Sequence, residues 1–385
     1  MCSTSRSDRK FLLAAIFLVT VILTSCSGRS GEHSAAILIG AYGPLTGGMA
    51  TQGISTQNGI AMAQDKVNKT GGVLGRKIQV IVEDDRGLPE EAQAVVTRLI
   101  TKYGVSAILG ETTSSRTLAA APIAQQNHIP MVTPDSTNPK VTKVGDYIFR
   151  TSFTDAFPSS LMAKFVSNNL GIKRLAVLRD IRNDYSVDLA DTFIQDFKKT
   201  DGVIVADESY GEGDTNFSAQ LTKIKSRDPQ GIFVPGYYTE IGLIARQARQ
   251  LGLTVPLLGG GSWDSPKLLE IGGDALEGSY YFGHFSAGDP RPAVQEFVRE
   301  YKSRFGQIPD MFAALAFDAT GVLVDAIGRA NSTDPGKIRD ALAQTKDYPG
   351  ITGAITIDGD RNASKPVVFL RIGKGQIEYV ETFAP

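Results

Sequence analysis

Four short runs rich in Val and Ile, AAILIGAY (35–42), KIQVIVEDD (77–85), VSAILG (105–110) and IPMVTP (129–134), are separated by stretches with helical spacing. That alternation is the tightest constraint in the chain. Strands joined through helices run parallel and have to be covered on both faces. The clearest intervening helix is PEEAQAVVTRLITKYG. Pro89 opens its first turn with Glu90 and Glu91 behind it, Val95, Val96, Leu99 and Tyr103 form one stripe, and Gly104 closes it. The rhythm restarts near residue 155 with RLAVLRD, GVIVADESY, GIFVPGYY, PLLGG and SYYFGHF, and TEIGLIARQARQLG puts Ile241, Ile244, Ala248 and Leu251 on a second stripe. Two successive open α/β units are therefore predicted, each near the usual domain size. Residues 291–345 hold three helical patterns in a row, followed by AITIDGD, PVVFLRIGKG and QIEYVETF. Helices with no strands between them do not build a third sheet, and they are expected to return over the first two units.

The compartment is read from the first residues. Arg6, Arg9 and Lys10 precede the apolar run FLLAAIFLVTVIL, which ends in LTSC at Cys26. This is the pattern of a secretory leader, too short to span a membrane. Leu23, Thr24 and Ser25 before Cys26 resemble a bacterial lipobox, so residues 1–25 are expected to be removed and Cys26 lipidated, with 26–35 as a polar tether. The only other cysteine is Cys2, so the mature chain has one cysteine and no intrachain disulfide to hold it. Loss of the leader, with its Asp8, moves the formal charge from -1 to -3, which gives no footprint for nucleic acid or an electrostatic membrane surface.

In open parallel sheets, ligands bind beyond the carboxyl ends of the strands, where loops run into helix N-termini. Those loops are GPLTGGMATQG, GETTSSRT (110–117), TPDSTNP, DIRNDYS, GYYTE and GGGSWDSP. They are rich in hydroxyls, glycine and aromatics and poor in charge. Catalysis has little to work with. His33, His128 and His284 have no metal-ligand spacing and read as surface or packing residues, and there is no G-x-S-x-G elbow, P-loop or dinucleotide fingerprint. Asp84 and Asp85 end a strand and read as a solvated strand end. TTSSRT serves equally as an N-cap through Ser114 or Ser115 and as a neutral receptor for a carboxylate. TPDSTNP repeats that chemistry one strand later. Tyr185, Tyr237, Tyr238 and Trp263 stand at strand ends of the second unit, where aromatics with polar tips close over a small amphiphilic ligand.

With GPLTG, NGIAMAQDKVNKTGGVLGRKIQVIVEDD, TSSRT, TPDSTNP, DYSVDLADTF, GIFVPGYYTE, GGGSWDSP and PDMFAALAFDA in this order, the chain resembles the class I periplasmic binding proteins, specifically the leucine/isoleucine/valine-binding receptors of ABC importers. The resemblance implies an α/β fold with two doubly wound parallel-sheet lobes joined by a three-segment hinge. Lobe I would be 36–154 with 285–352, and lobe II 155–284 with 353–385. It also implies a monomer without cofactor or metal and without catalytic residues, partnered by ABC permease subunits and anchored through Cys26. Ser114 and Thr137, with Ser136 beside them, match the hydroxyls that hold an amino acid's carboxylate. Asp135 matches the position whose carbonyl takes the ammonium, Tyr185 and Tyr237 match the second-lobe aromatics, with Trp263 kept as a ligand contact from its strand-end place, and Gln52 falls near a position often held by tyrosine. The family's ammonium-binding carboxylate should lie at position 261, and here it is Gly261. Either Asp135 or Asp264 supplies the missing carboxylate, or the ligand is a carboxylate without an ammonium. A sensing subunit of a signalling system and a small-amide hydrolase are the competing functions.

Overall fold

The computed structural model describes Met1 and residues 35–384; the leader, Cys26 and the tether up to residue 34 lie outside the described residues. The four runs that open the chain form β1 (Ile37–Gly43), β2 (Ile78–Asp84), β3 (Ala107–Leu109) and β4 (Met131–Thr133), and β5 (Ile148–Arg150) completes a five-stranded parallel sheet in the order β2-β1-β3-β4-β5. Helices α1 (Ala50–Lys69), α2 (Pro89–Thr101) and α3 (Ser114–Gln126) are its crossovers. Val95, Val96 and Leu99 of α2 are fully buried on one face with Ala120, Ala121 and Ala124 of α3, as their spacing requires.

After α4 (Ala156–Lys164) the second unit repeats the plan. It comprises β6 (Arg174–Asp180), α5 (Asp184–Lys198), β7 (Val203–Tyr210), α6 (Ser218–Ser226), β8 (Gly231–Phe233), α7 (Tyr238–Gln250), β9 (Leu257–Gly259), α8 (Pro266–Gly272) and β10 (Tyr280–Gly283). The order β7-β6-β8-β9-β10 is that of the first sheet, so the duplication predicted from pattern is one of topology. In each sheet the order reverses beside the first strand, β1 or β6, which opens a crevice at the carboxyl ends.

The chain then returns. Helices α9 (Pro292–Phe305), α10 (Met311–Ala330) and α11 (Pro335–Ala343) pack on the first lobe, α9 beside Met62 of α1, and the start of α10 also meets Asp264 of the second. Ala319, Leu323, Ile327, Ile338 and Leu342 share a core with Ile37, Ile39 and Ile60. Three short strands follow, β11 (Tyr348–Gly350), β12 (Gly353–Ile357) and β13 (Ala363–Ser364), and they form a small antiparallel sheet. Ile355, Ile357 and Ala363 belong to that same first core. Residues 353–364, assigned from sequence to lobe II, therefore pack on lobe I, because their apolar side chains face α10 and α11. The last two strands, β14 (Val367–Gly373) and β15 (Gln376–Phe383), cross over and extend the second sheet antiparallel to β10. The chain thus passes between the lobes three times: after β5, after β10, and between β13 and β14.

Glycine sets the spacing of α1 on α10. A Cβ at Gly59 would overlap the Ala313 carbonyl, a backbone atom that cannot swing aside. Gly59→Ala is expected to destabilise the protein by about 1–3 kcal/mol, as overpacking does. Urea unfolding reads this as a lower midpoint, and an unchanged midpoint would show that the two helices can slide apart at no cost.

Candidate functional site

The carboxyl-end loops of both sheets meet around a cavity lined by Thr112, Ser114, Asp135, Thr137, Phe153, Asp155, Tyr185, Tyr237, Gly261, Ser262, Phe282 and His284. Six of the sequence-predicted residues are brought together here: Ser114, Asp135, Thr137, Tyr185, Tyr237 and Gly261. Three are not. Trp263 is fully buried behind the loop, its ring against Gly259 and its Nε1 donating to the Val234 carbonyl at 3.1 Å. Ser136 donates to the Glu111 carbonyl at 2.9 Å and pairs with Thr117 Oγ1 at 2.6 Å, so it braces the loop instead of lining it. Gln52 stands one step back, its Nε2 donating to Thr112 Oγ1 at 3.0 Å.

Helix α3 starts at the cavity wall. Thr113 is its N-cap and makes no side-chain capping bond, so neither Ser114 nor Ser115 acts as the cap predicted from sequence. Both lie in the first turn, where backbone amides have no intrahelical acceptor and the helix dipole favours an anion. Ser114 Oγ accepts from the Asn138 amide at 3.2 Å, which leaves its proton available to the cavity. Thr137 differs. Its Oγ1 donates to Asp155 Oδ2 at 2.6 Å, so its proton is already engaged. The second lobe supplies a flat apolar wall, with Tyr185 and Tyr237 stacked at 5.7 Å between centroids. Ser262 Oγ lies 3.1 Å from Tyr185 Oη, and Asn183 caps α5 through the amides of Tyr185 and Ser186, which fixes where Tyr185 enters.

The charged groups sit on the first lobe and the crossovers. Burial raises the Asp135 carboxyl well above its ordinary range, and the charge of Asp155 adds to this while Lys365 opposes it. Burial also pushes Asp155 up to about 7, partly offset by the Thr137 hydrogen bond. The His284 imidazole stacks on Phe153 at 3.6 Å, and its Nε2 is 3.5 Å from Asp135 Oδ1. Burial drives its pKa well below the usual value, so the contact is between a neutral ring and a carboxyl group and is no ion pair. Asp264 does not reach in. Its Oδ2 accepts from the Met311 amide at 2.8 Å and its Oδ1 from Tyr281 at 3.3 Å, tying the loop after β9 to the start of α10. At position 261, a Cβ would come within 2.9 Å of the Met311 methyl group.

Sequence reasoning did not single out Thr112, Phe153, Asp155, Ser262, Phe282 or His284. Thr112 and Ser262 stand in strand-end loops beside predicted residues and Phe282 lies in β10, while Phe153, Asp155 and His284 belong to the first two crossovers. No local pattern marks a crossover, and His284 has no partner near it in sequence that would distinguish it from a packing residue.

The lobes also touch across the cleft mouth. Ser115 Oγ donates to Asp184 at 2.8 Å, Asn138 Nδ2 to the Asp184 carbonyl at 3.0 Å, Tyr238 Oη to the Gly48 carbonyl at 2.9 Å, and Arg116 pairs with Glu212. Each bond joins one lobe to the other.

Known proteins share this design. The sequence profile of the family described as periplasmic binding protein matches residues 36–376. A Leu/Ile/Val-binding protein homolog of Brucella melitensis is 30% identical over 352 residues, covering 91% of this chain and 94% of its own length. The solved leucine-binding protein LivK of Thermotoga maritima is 39% identical with a TM-score of 0.86, covering 91% of this chain and 99% of that one. LivJ of Streptococcus pneumoniae, a branched-chain amino acid transporter substrate-binding protein solved with isoleucine, is 34% identical with a TM-score of 0.86, covering 91% and 100%. With two repeated sheets, three crossovers, a cavity between their carboxyl ends and a profile match over most of its length, the chain belongs to the periplasmic binding protein family.

Proposed function

We propose that this protein captures an amino acid or a related small carboxylate in the cleft and presents it to an ABC permease; its relatives are named as a Leu/Ile/Val-binding protein homolog and as a branched-chain amino acid transporter substrate-binding protein, which supports the reading. The observation that carries the ligand class is Ser114. It stands in the first turn of α3 with its proton free, beside amides that have no intrahelical acceptor, and faces the apolar wall of Tyr185, Tyr237 and Phe282. A carboxylate fits the first feature and a compact apolar group the second. Ser114 Oγ has no hydrogen bond to His284 or Asp155 among the described residues, so no base is poised to activate it as a nucleophile, and capture is favoured over hydrolysis. The leader and the Cys26 lipobox supply export and an anchor outside the cytoplasm, which is where a solute receptor meets its permease.

Thermal shift with L-leucine, L-phenylalanine, 4-methylpentanoate and benzoate tests the class, since a bound ligand raises the melting temperature by mass action. At least one of these carboxylates is expected to raise it. Ser114→Ala is then expected to weaken that ligand by about 1.5–3 kcal/mol in calorimetry, the loss of a hydrogen bond to a charged group. Melting unmoved by all four compounds, or an unchanged affinity in the variant, would remove the carboxylate end of the site.

A further inference from the structure

Three polar atoms on residues that line the cavity have no hydrogen-bond partner among the described residues: Asp135 Oδ1, Asp155 Oδ1 and His284 Nδ1. Their residues are only 8%, 1% and 2% exposed. A buried polar atom without a partner is costly, and three around one small cavity mark a place that an incoming donor completes. All three are acceptors. With both carboxyl groups ionised the two oxygens accept; the neutral His284 ring turns Nε2 toward Asp135 Oδ1 at 3.5 Å, a contact too long to satisfy that oxygen, and a proton on Nε2 leaves the Nδ1 lone pair free. The second Asp155 oxygen is held by Thr137, which fixes how that carboxylate presents the first.

Among the described residues no Lys or Arg side chain lines this space. Arg150 and Lys365 are buried nearby, but Arg150 donates to the carbonyls of Ser136 and Asn138, and Lys365 to Thr352 and the Thr151 carbonyl. The cation must come with the ligand. A primary ammonium, with three donors and no acceptor, matches three unpartnered acceptors, and the α3 end of the same cavity takes a carboxylate.

We propose that Asp135, Asp155 and His284 together hold the ammonium of an α-amino acid, so that the cation anchor is built on the first lobe and the crossovers instead of at position 261. This rests on the carboxylate reading of the cleft. Asp135 follows β4, Asp155 lies on the crossover after β5, and His284 on the crossover after β10. One ammonium therefore ties two of the three crossovers to the first sheet. The ligand acts on the hinge directly as well as on the two faces of the cleft.

The test compares matched pairs by calorimetry on the mature chain: L-leucine with 4-methylpentanoate, and L-phenylalanine with 3-phenylpropanoate. The better amino acid is expected to bind at least about 100-fold more tightly than its deaminated partner, the scale for leaving buried charges without their partner. Asp135→Asn, and separately Asp155→Asn, is expected to weaken the amino acid by about 10-fold or more and its deaminated partner by less than about threefold, as loss of a charge-assisted bond predicts. Equal losses for both members of a pair, or wild-type binding that ignores the amino group, overturns the subsite and leaves the carboxylate site standing. If none of the four compounds binds, the carboxylate reading fails and the subsite falls with it. The wild-type comparison decides even if a variant does not fold.

Discussion

Replacing Arg116 with leucine is expected to weaken ligand binding by about 10- to 100-fold, with a smaller effect on unfolding of the ligand-free protein. Arg116 leaves the first turn of α3, donates through Nε to the Gly87 carbonyl at 2.7 Å within its own lobe, and pairs through Nη2 with Glu212 on the other. Its side chain is 4% exposed in this structure. When the cleft opens, Arg116 and Glu212 separate and both regain water. The energy of the pair is therefore counted in the closing equilibrium, and closing is part of the measured affinity. Leucine keeps much of the packing volume and removes the charge, so the loss reports on the pair. Small-angle scattering should show a ligand-free variant that is more open than wild type. Unchanged affinity together with unchanged scattering would mean that Ser115, Asn138 and Tyr238 close the mouth without help from the ion pair.

The ligand-free protein is expected to become less stable as pH rises from about 5 to 8, the reverse of the usual behaviour of acidic groups. Burial raises the folded-state pKa of Glu111 to about 8, of Asp155 and Asp264 to about 7, and of Asp85 and Asp310 to about 6. The ordinary values are near 4, so in this window the folded chain holds protons that the unfolded chain has released. Their stabilisation is complete below the unfolded value near 4, is lost progressively above it, and is gone once pH has passed the folded pKa. His284 acts against this, because burial keeps it neutral, but only below about 6.5, where its unfolded form takes a proton. Lys365, pushed down to about 8 by burial, acts against it only above that value. The melting temperature should therefore fall between about pH 6.5 and 8, where neither opposes the trend. Binding of an ammonium-bearing ligand has the opposite sign, since it needs Asp135 and Asp155 ionised. Its affinity should rise with pH by up to about tenfold per unit for each proton released. A melting temperature that is flat or rising over that interval would show that these carboxylates ionise without cost in the folded protein.

The architecture was legible because it is written in local patterns. Val95, Val96 and Leu99 are buried as their spacing requires, Gly104 and Gly252 take the positive φ that ends a helix, and both sheets have the parallel core predicted from the alternation. The β12–β13 segment was misassigned because a short apolar strand carries no mark of which lobe will bury it. Within the site, Ser114 and the tyrosines were found because they stand at strand ends, a position that the periodicity reveals. Trp263 stands at one too and is turned away. Its indole N–H must find an acceptor when buried, and the Val234 carbonyl lies behind the loop.

What residue order alone established is the layered plan and the gathering of hydroxyl-rich and aromatic loops at the carboxyl ends of two sheets. Those follow from side-chain period and residue type, which are properties of neighbours along the chain. Tertiary structure decided that Thr137 spends its proton on Asp155, that Asp264 is consumed by the start of α10, and that Asp155 and His284 meet Asp135 in one cavity. Those groups lie more than a hundred residues apart at the extremes and meet only because three crossovers pass between the lobes at one place. Hydrogen-bond direction and burial are set by that meeting, and they determine which polar atoms remain for a ligand.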